Sequence, residues 1–276
     1  MPRRLRRSVH TSGRRVPIKG LTSGNMTSSE LSRSDEPGRQ LIGEWAVCGI
    51  AAAAARFIPV PLLDDAVKDR AIRIAISRTL RANGRPYSSS LVEPLYAGVD
   101  AESASMARRA AKYLRSVPRR VILFPVRKYV ALFGSVRGVP HDVMTVLLLG
   151  RTVHRCLGAG RLTDPDEDRL RAEAVQIRAA FDRALEGMDL QMFTGALSDG
   201  LSQGRGLTSA AVKYARTTFT RKDDVSAADL APGGAVGEAA ERVEEVQRRP
   251  EIARLISEFD TRFDAELTRT GSRKKR

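Results

Sequence analysis

Between Ser103 and Thr163 the chain carries ten Arg and two Lys against a single acid, Asp142. The same stretch is apolar: Met106, Tyr113, Leu114, Val121 to Val126, Tyr129 to Phe133 and Val143 to Leu149 lie between the cations. Apolar side chains gain by leaving water, whereas charges resist burial unless they are paired. A stretch that is both must either turn its guanidinium groups toward an anionic partner or have them covered by carboxylates from elsewhere in the chain. Both sources exist in principle, because the formal charge is uneven: +6 over residues 1–40, 0 over 41–102, +11 over 103–163, −7 over 164–268 and +5 over the last eight.

With 276 residues and a 42% apolar fraction, the chain can bury one large core or two small ones. Arg outnumbers Lys by 39 to 8. The excess suits phosphate or carboxylate recognition, but GC-rich coding sequence produces the same bias, and that account is placed first. Cys48 and Cys156 lie far apart in apolar surroundings and form no metal-spaced pattern, so they read as buried thiols of a reducing cytosol. The uncharged run Trp45–Ala55 ends at Arg56 after eleven residues, well short of the roughly 20 that a spanning helix needs. The expectation is a cytoplasmic protein that can lie on the inner face of the membrane without crossing it.

In chain order, residues 1–40 lack periodicity and read as a disordered basic tail. Met26 opens a more ordinary start, so residues 1–25 are read as an over-extended gene start. From Leu41 the pattern becomes helical. A small-residue helix through Ala55 is stopped by Pro59 and Pro61, and a second runs from Leu62 to about Ala82 with Asn83-Gly84 as its stop. The spacing of Asp64, Asp65, Lys68, Asp69 and Arg73 predicts pairing across turns of that helix. A connection or short helix broken by Pro94 follows, then a helix over 101–117 whose polar face is cationic past Glu102.

Farther on, Asp142–Leu157 predicts a helix closed by Gly158 and Gly160, and its Pro-start, Arg-Thr and Gly-Arg signals echo those of the second helix. Thr163 to Asp168 predicts a capped helix start, with Leu170, Ala174, Ile177, Phe181 and Leu185 on one face. Residues 189–219 look helical but are weakened by four glycines. Together these patterns predict an all-α protein: a main helical domain over 41–220, a linker over 221–237, an amphipathic helical segment over 238–268 and a basic tail over 269–276. The stripe Ile252, Leu255, Ile256, Phe259, Phe263 and Leu267 is expected to dock the last segment on the body.

No cofactor or metal motif survives inspection. Asp164, Asp166 and Asp168 mimic the opening of a calcium loop, but Arg169 and Val175 stand where glycine and glutamate are required. No phosphate loop, dinucleotide fingerprint or nucleophile elbow is present. His141-Asp142 reads as helix capping before it reads as an oriented base, and His154 and Cys156 project from different helix faces. Nothing supports an enzyme, no catalytic residue is named, and no small-molecule ligand is identifiable.

The remaining choice concerns the basic block. Arg108, Arg109, Lys112, Arg115, Arg119, Arg120, Arg127 and Lys128 are the candidate anionic-surface contacts. A membrane would gain about 1 kcal/mol per cation plus the burial of neighbouring apolar groups. Nucleic acid would use the same cations through counterion release, but no zinc-finger spacing, RNA-recognition signature or aromatic platform accompanies them. In a third account the −7 segment packs over the +11 segment and the charges cancel within the molecule. Internal packing with some contact to anionic membrane, or to a membrane-bound partner, ranks first and nucleic acid second.

At AAAAARFIPVPLLDD with RTLRANGR, and GVPHDVMTVLLLGRTV with LGAGR, the chain resembles the EcsC-like family of bacterial helical proteins over about residues 46–161. The resemblance implies membrane association. That family has no established catalytic residue set, so no site residue is carried over.

Overall fold

The computed structural model describes residues 38–60, 63–85, 87, 90–97, 136, 138–221 and 224–273. Among these the fold is all-α, as the periodicity predicts: nine helices, two 3-10 turns and no strand. In chain order the helices are α1 Arg39–Ala54, α2 Leu63–Ala82, α3 Glu93–Ala97, α4 Val139–Gly158, α5 Glu167–Glu186, α6 Gln191–Ser202, α7 Leu207–Phe219, α8 Gly234–Gln247 and α9 Pro250–Arg273. A 3-10 turn at Ala55–Phe57 extends α1, and another at Ala228–Leu230 precedes α8.

Helix α1 is the centre of the body, and α2, α4, α7 and α8 pack around it. Its sequence explains why: alanine and glycine leave so little side-chain bulk that neighbouring backbones approach from several directions. Every residue from Glu44 to Ala54 is buried. The closest approach is to α4, where a side chain at Gly49 would meet the Val143 backbone at 3.1 Å and one at Gly150 would meet the Trp45 indole at 2.6 Å. Trp45 in turn donates from Nε1 to Thr79 Oγ1 at 2.8 Å, so the largest side chain of α1 is fixed to α2.

Helices α2 and α4 have the same length, 20 residues, and end alike. Gly84 and Gly160 take φ of +69° and +73°. The amide of the following arginine closes the turn in each case, Arg85 N to Leu80 O and Arg161 N to Cys156 O, both at 2.8 Å. This is the left-handed glycine stop that the Gly-Arg echo predicts. The Arg-Thr pairs do not superpose with it, because Thr79 lies closer to its glycine than Thr152 does. The likeness is therefore one of helix length and stop.

Other boundaries shift from the expected ones for local reasons. The N-cap of α5 is Asp166, not Thr163: its side chain accepts from the amides of Asp168 and Arg169. Thr163 instead donates to Gly160 O within the preceding turn. The glycine-rich stretch 189–219 resolves into α6 and α7, with Gly206 at φ +72° opening α7. Val225 and Leu230 reach the buried cluster, and α8 begins at Gly234. On α9, Ile252, Ile256, Phe259, Phe263 and Leu267 are buried and Leu255 is partly so, matching the predicted stripe. The helix lies mainly on α5, where Phe181 and Phe259 meet edge to face at 5.5 Å.

Candidate functional site

All eight residues proposed as anionic-surface contacts, Arg108, Arg109, Lys112, Arg115, Arg119, Arg120, Arg127 and Lys128, lie outside the described residues, as do the whole expected helix 101–117 and residues 1–37. The described remainder of the basic block is chiefly α4, which belongs to the core: Val143, Met144, Val146 to Gly150, Val153 and Cys156 are buried.

The arginines of this end of the block are matched by later acids. Arg151 donates to Asp260 Oδ2 at 3.1 Å, Arg155 contacts Asp260 at 3.1 Å and Asp264 at 2.9 Å, and Arg161 reaches Glu173 at 3.5 Å. Here the internal-neutralisation account holds. Burial raises the Asp260 carboxyl above the ordinary aspartate range, and the two arginines pull it back toward ionisation.

The start of α4 carries a different arrangement. Asp142 is 5% exposed and accepts two cations at once: Arg56 Nε at 2.5 Å on Oδ2 and Lys68 Nζ at 3.0 Å on Oδ1. Three elements, the 3-10 turn after α1, the first half of α2 and the first turn of α4, are thereby joined. Gly138, at φ +94°, leaves room for the Arg56 guanidinium, which a side chain there would strike at 2.9 Å. The capping expectation for His141-Asp142 is corrected: Gly138 is the N-cap, it makes no side-chain cap hydrogen bond, and His141 is exposed. The cross-turn pairing expected within α2 is corrected for Lys68. Lys68 leaves its own helix for Asp142, and Arg73 lies over the Tyr96 ring at 5.9 Å. A buried carboxylate gains more from a cation than an exposed neighbour does, because water screens the exposed one.

A third charged node was hidden from the sequence. Glu44, 5% exposed within α1, accepts from Arg78 Nε at 2.9 Å and Nη2 at 2.8 Å, and from Gln40 at 3.2 Å. The side-by-side fork explains how a carboxylate tolerates that depth. Only the lone acid of a helix otherwise built mainly from small and apolar residues, which must find a cation from elsewhere, hinted at it.

The remaining chemical candidates are engaged within the fold. Cys48 and Cys156 are buried thiols; burial pushes Cys48 far up and Cys156 up to about 12, which suppresses the reactive thiolate. His154 faces Asn83 Nδ2 at 3.0 Å and the Trp45 ring at 6.4 Å. Asp164 and Asp166 spend oxygens on their own turn. Among the described residues no group of three His, Cys, Asp or Glu could hold a metal ion, and no helix is long and apolar enough to cross a membrane.

Comparison of the chain with protein-family models, with curated proteins and with solved structures gave no match.

Proposed function

We propose that this helical protein is non-enzymatic and attaches peripherally to an anionic membrane surface, or to a membrane-bound partner, through the cationic, apolar stretch that begins at Ser103. The observation that carries the reading is the division of charge within the basic block. At its later end, Asp260, Asp264 and Glu173 are already engaged by Arg151, Arg155 and Arg161. Residues 103–135 bring eight more cations and no acid of their own, interleaved with VILFPV and YVALF. Such composition favours anionic headgroups, with apolar side chains entering the boundary beneath them. The resemblance to the EcsC-like family points the same way.

Vesicle flotation tests the proposal. The full chain is expected to float with vesicles containing a third anionic lipid and to remain at the bottom with neutral ones. Arg108, Arg109 and Lys112 changed together to Ala should remove three contacts of about 1 kcal/mol each, a loss on the order of a hundredfold in partitioning. Equal recovery with neutral and anionic vesicles, or none with either, overturns the reading. Salt-sensitive retention on DNA without flotation would transfer the same residues to nucleic acid.

A further inference from the structure

We propose that Arg56 and Lys68 together bind a phosphate monoester at the foot of α4, an inference that rests on the anionic-surface reading for the source of its ligand. Asp142 holds the two cations with its two oxygens, one each. That leaves the terminal nitrogens of Arg56 and two ammonium protons of Lys68, and among the described residues no second acceptor takes them. Both side chains remain open to water, at 41% and 39% exposure, while that of Asp142 beneath them is buried. The pair therefore carries one surplus positive charge on heads already fixed in place.

Fixing matters because an exposed lysine or arginine normally spends conformational freedom when it closes on an anion. Here the carboxylate has already confined both heads. A guanidinium edge presents two parallel donors matched to two phosphate oxygens, and an ammonium adds a compact charge beside it. Glycine at 138 lets the guanidinium lie against the backbone, where any side chain would displace it. Asp64 and Asp65, in the first turn of α2, and Asp69 beside Lys68 are opposing charges on the same helix; they hold the expected dissociation constant to on the order of a millimolar.

The experiment follows the Arg56 Nε–H and the Lys68 side chain of the full chain by NMR during titration with glycerol 3-phosphate. It is paired with flotation on vesicles of phosphatidic acid or of phosphatidylserine at matched surface charge. Saturable shifts at both groups are expected in the unaltered chain, and binding read at the group each variant retains should weaken about tenfold with Lys68→Gln and with Arg56→Lys, which keeps the Asp142 pair but loses the fork; phosphatidic acid should recover more protein than phosphatidylserine. No saturable shift with glycerol 3-phosphate, or binding unchanged in both variants, overturns the site. Soluble binding without a preference for phosphatidic acid keeps the site and assigns it to a free phosphate compound. Soluble binding with no flotation at all keeps the site while the membrane reading falls.

Discussion

Helices α1 and α9 are both long and both well buried at their contacts, yet they get there by opposite routes. Helix α1 is enclosed because it has almost no side chains to exclude its neighbours, and its single acid, Glu44, is taken in with it and forked by Arg78. Helix α9 lies on the body by one stripe of large side chains, and its acids stay at the edge of that stripe, where Asp260, Asp264 and Glu266 face Arg151, Arg155 and Arg183. One contact is limited by space and the other by filling. Adding volume should therefore damage the first, and removing it should damage the second.

The largest expected effect comes from emptying the α9 contact. Phe259 is fully buried against Phe181, so Phe259→Ala should cost about 3–5 kcal/mol in urea unfolding, with a matching fall in midpoint. A loss below about 1 kcal/mol would mean that α9 contributes little and that the contrast with α1 is misplaced.

The next effect comes from adding a single methyl to the α1 contact. A Cβ at Gly150 would stand 2.6 Å from the indole of Trp45, a ring that is 1% exposed and held by Thr79. Gly150→Ala should lose about 1–3 kcal/mol, even though alanine favours a helix by about 1 kcal/mol over glycine. Gly195 in α6 is the control, because nothing lies within 4 Å of its Cβ position. Gly195→Ala should gain up to about 1 kcal/mol, since only the backbone preference operates there. If the two substitutions changed stability alike, close approach would not be what organises α1.

The same contrast explains how much was legible in the residues. The α9 stripe follows a 3.6-residue period, and the α1 run announces close packing through its lack of bulk, so both helices and their roles could be read directly. The ion pairs could not. Local spacing offered Lys68 a partner among Asp64 and Asp65, but the fold brings the buried Asp142 within 3.0 Å and the tertiary partner wins. Arg78 likewise finds Glu44 across the α1–α2 contact. Sequence distance carries no information about which helix faces meet, whereas burial decides which carboxylate needs a cation most. The eight candidate surface cations follow from local composition alone.

Asp69 carries the smallest effect and separates paired acids from an unpaired one. Unlike the acids of α9, it faces no arginine ion pair among the described residues. Burial, and then the charge of Asp65 one turn earlier, lift its carboxyl from 3.8 to about 6, while Lys68 and Arg73 oppose the shift. A carboxyl whose folded pKa is raised supports the fold in its protonated form. That support is complete below the unfolded pKa and is lost as pH rises through about 6. Asp69→Asn keeps the neutral shape at every pH, so it should be near neutral in effect at pH 3.5. At pH 7.5 it should stabilise by up to about 1 kcal/mol, after discounting for the part of the side chain that water screens. Urea unfolding of both proteins at the two pH values reads the difference. A gain that is equal at both, or a loss at pH 7.5, would mean that Asp69 has a cation after all and that α2 treats its acids as α9 does.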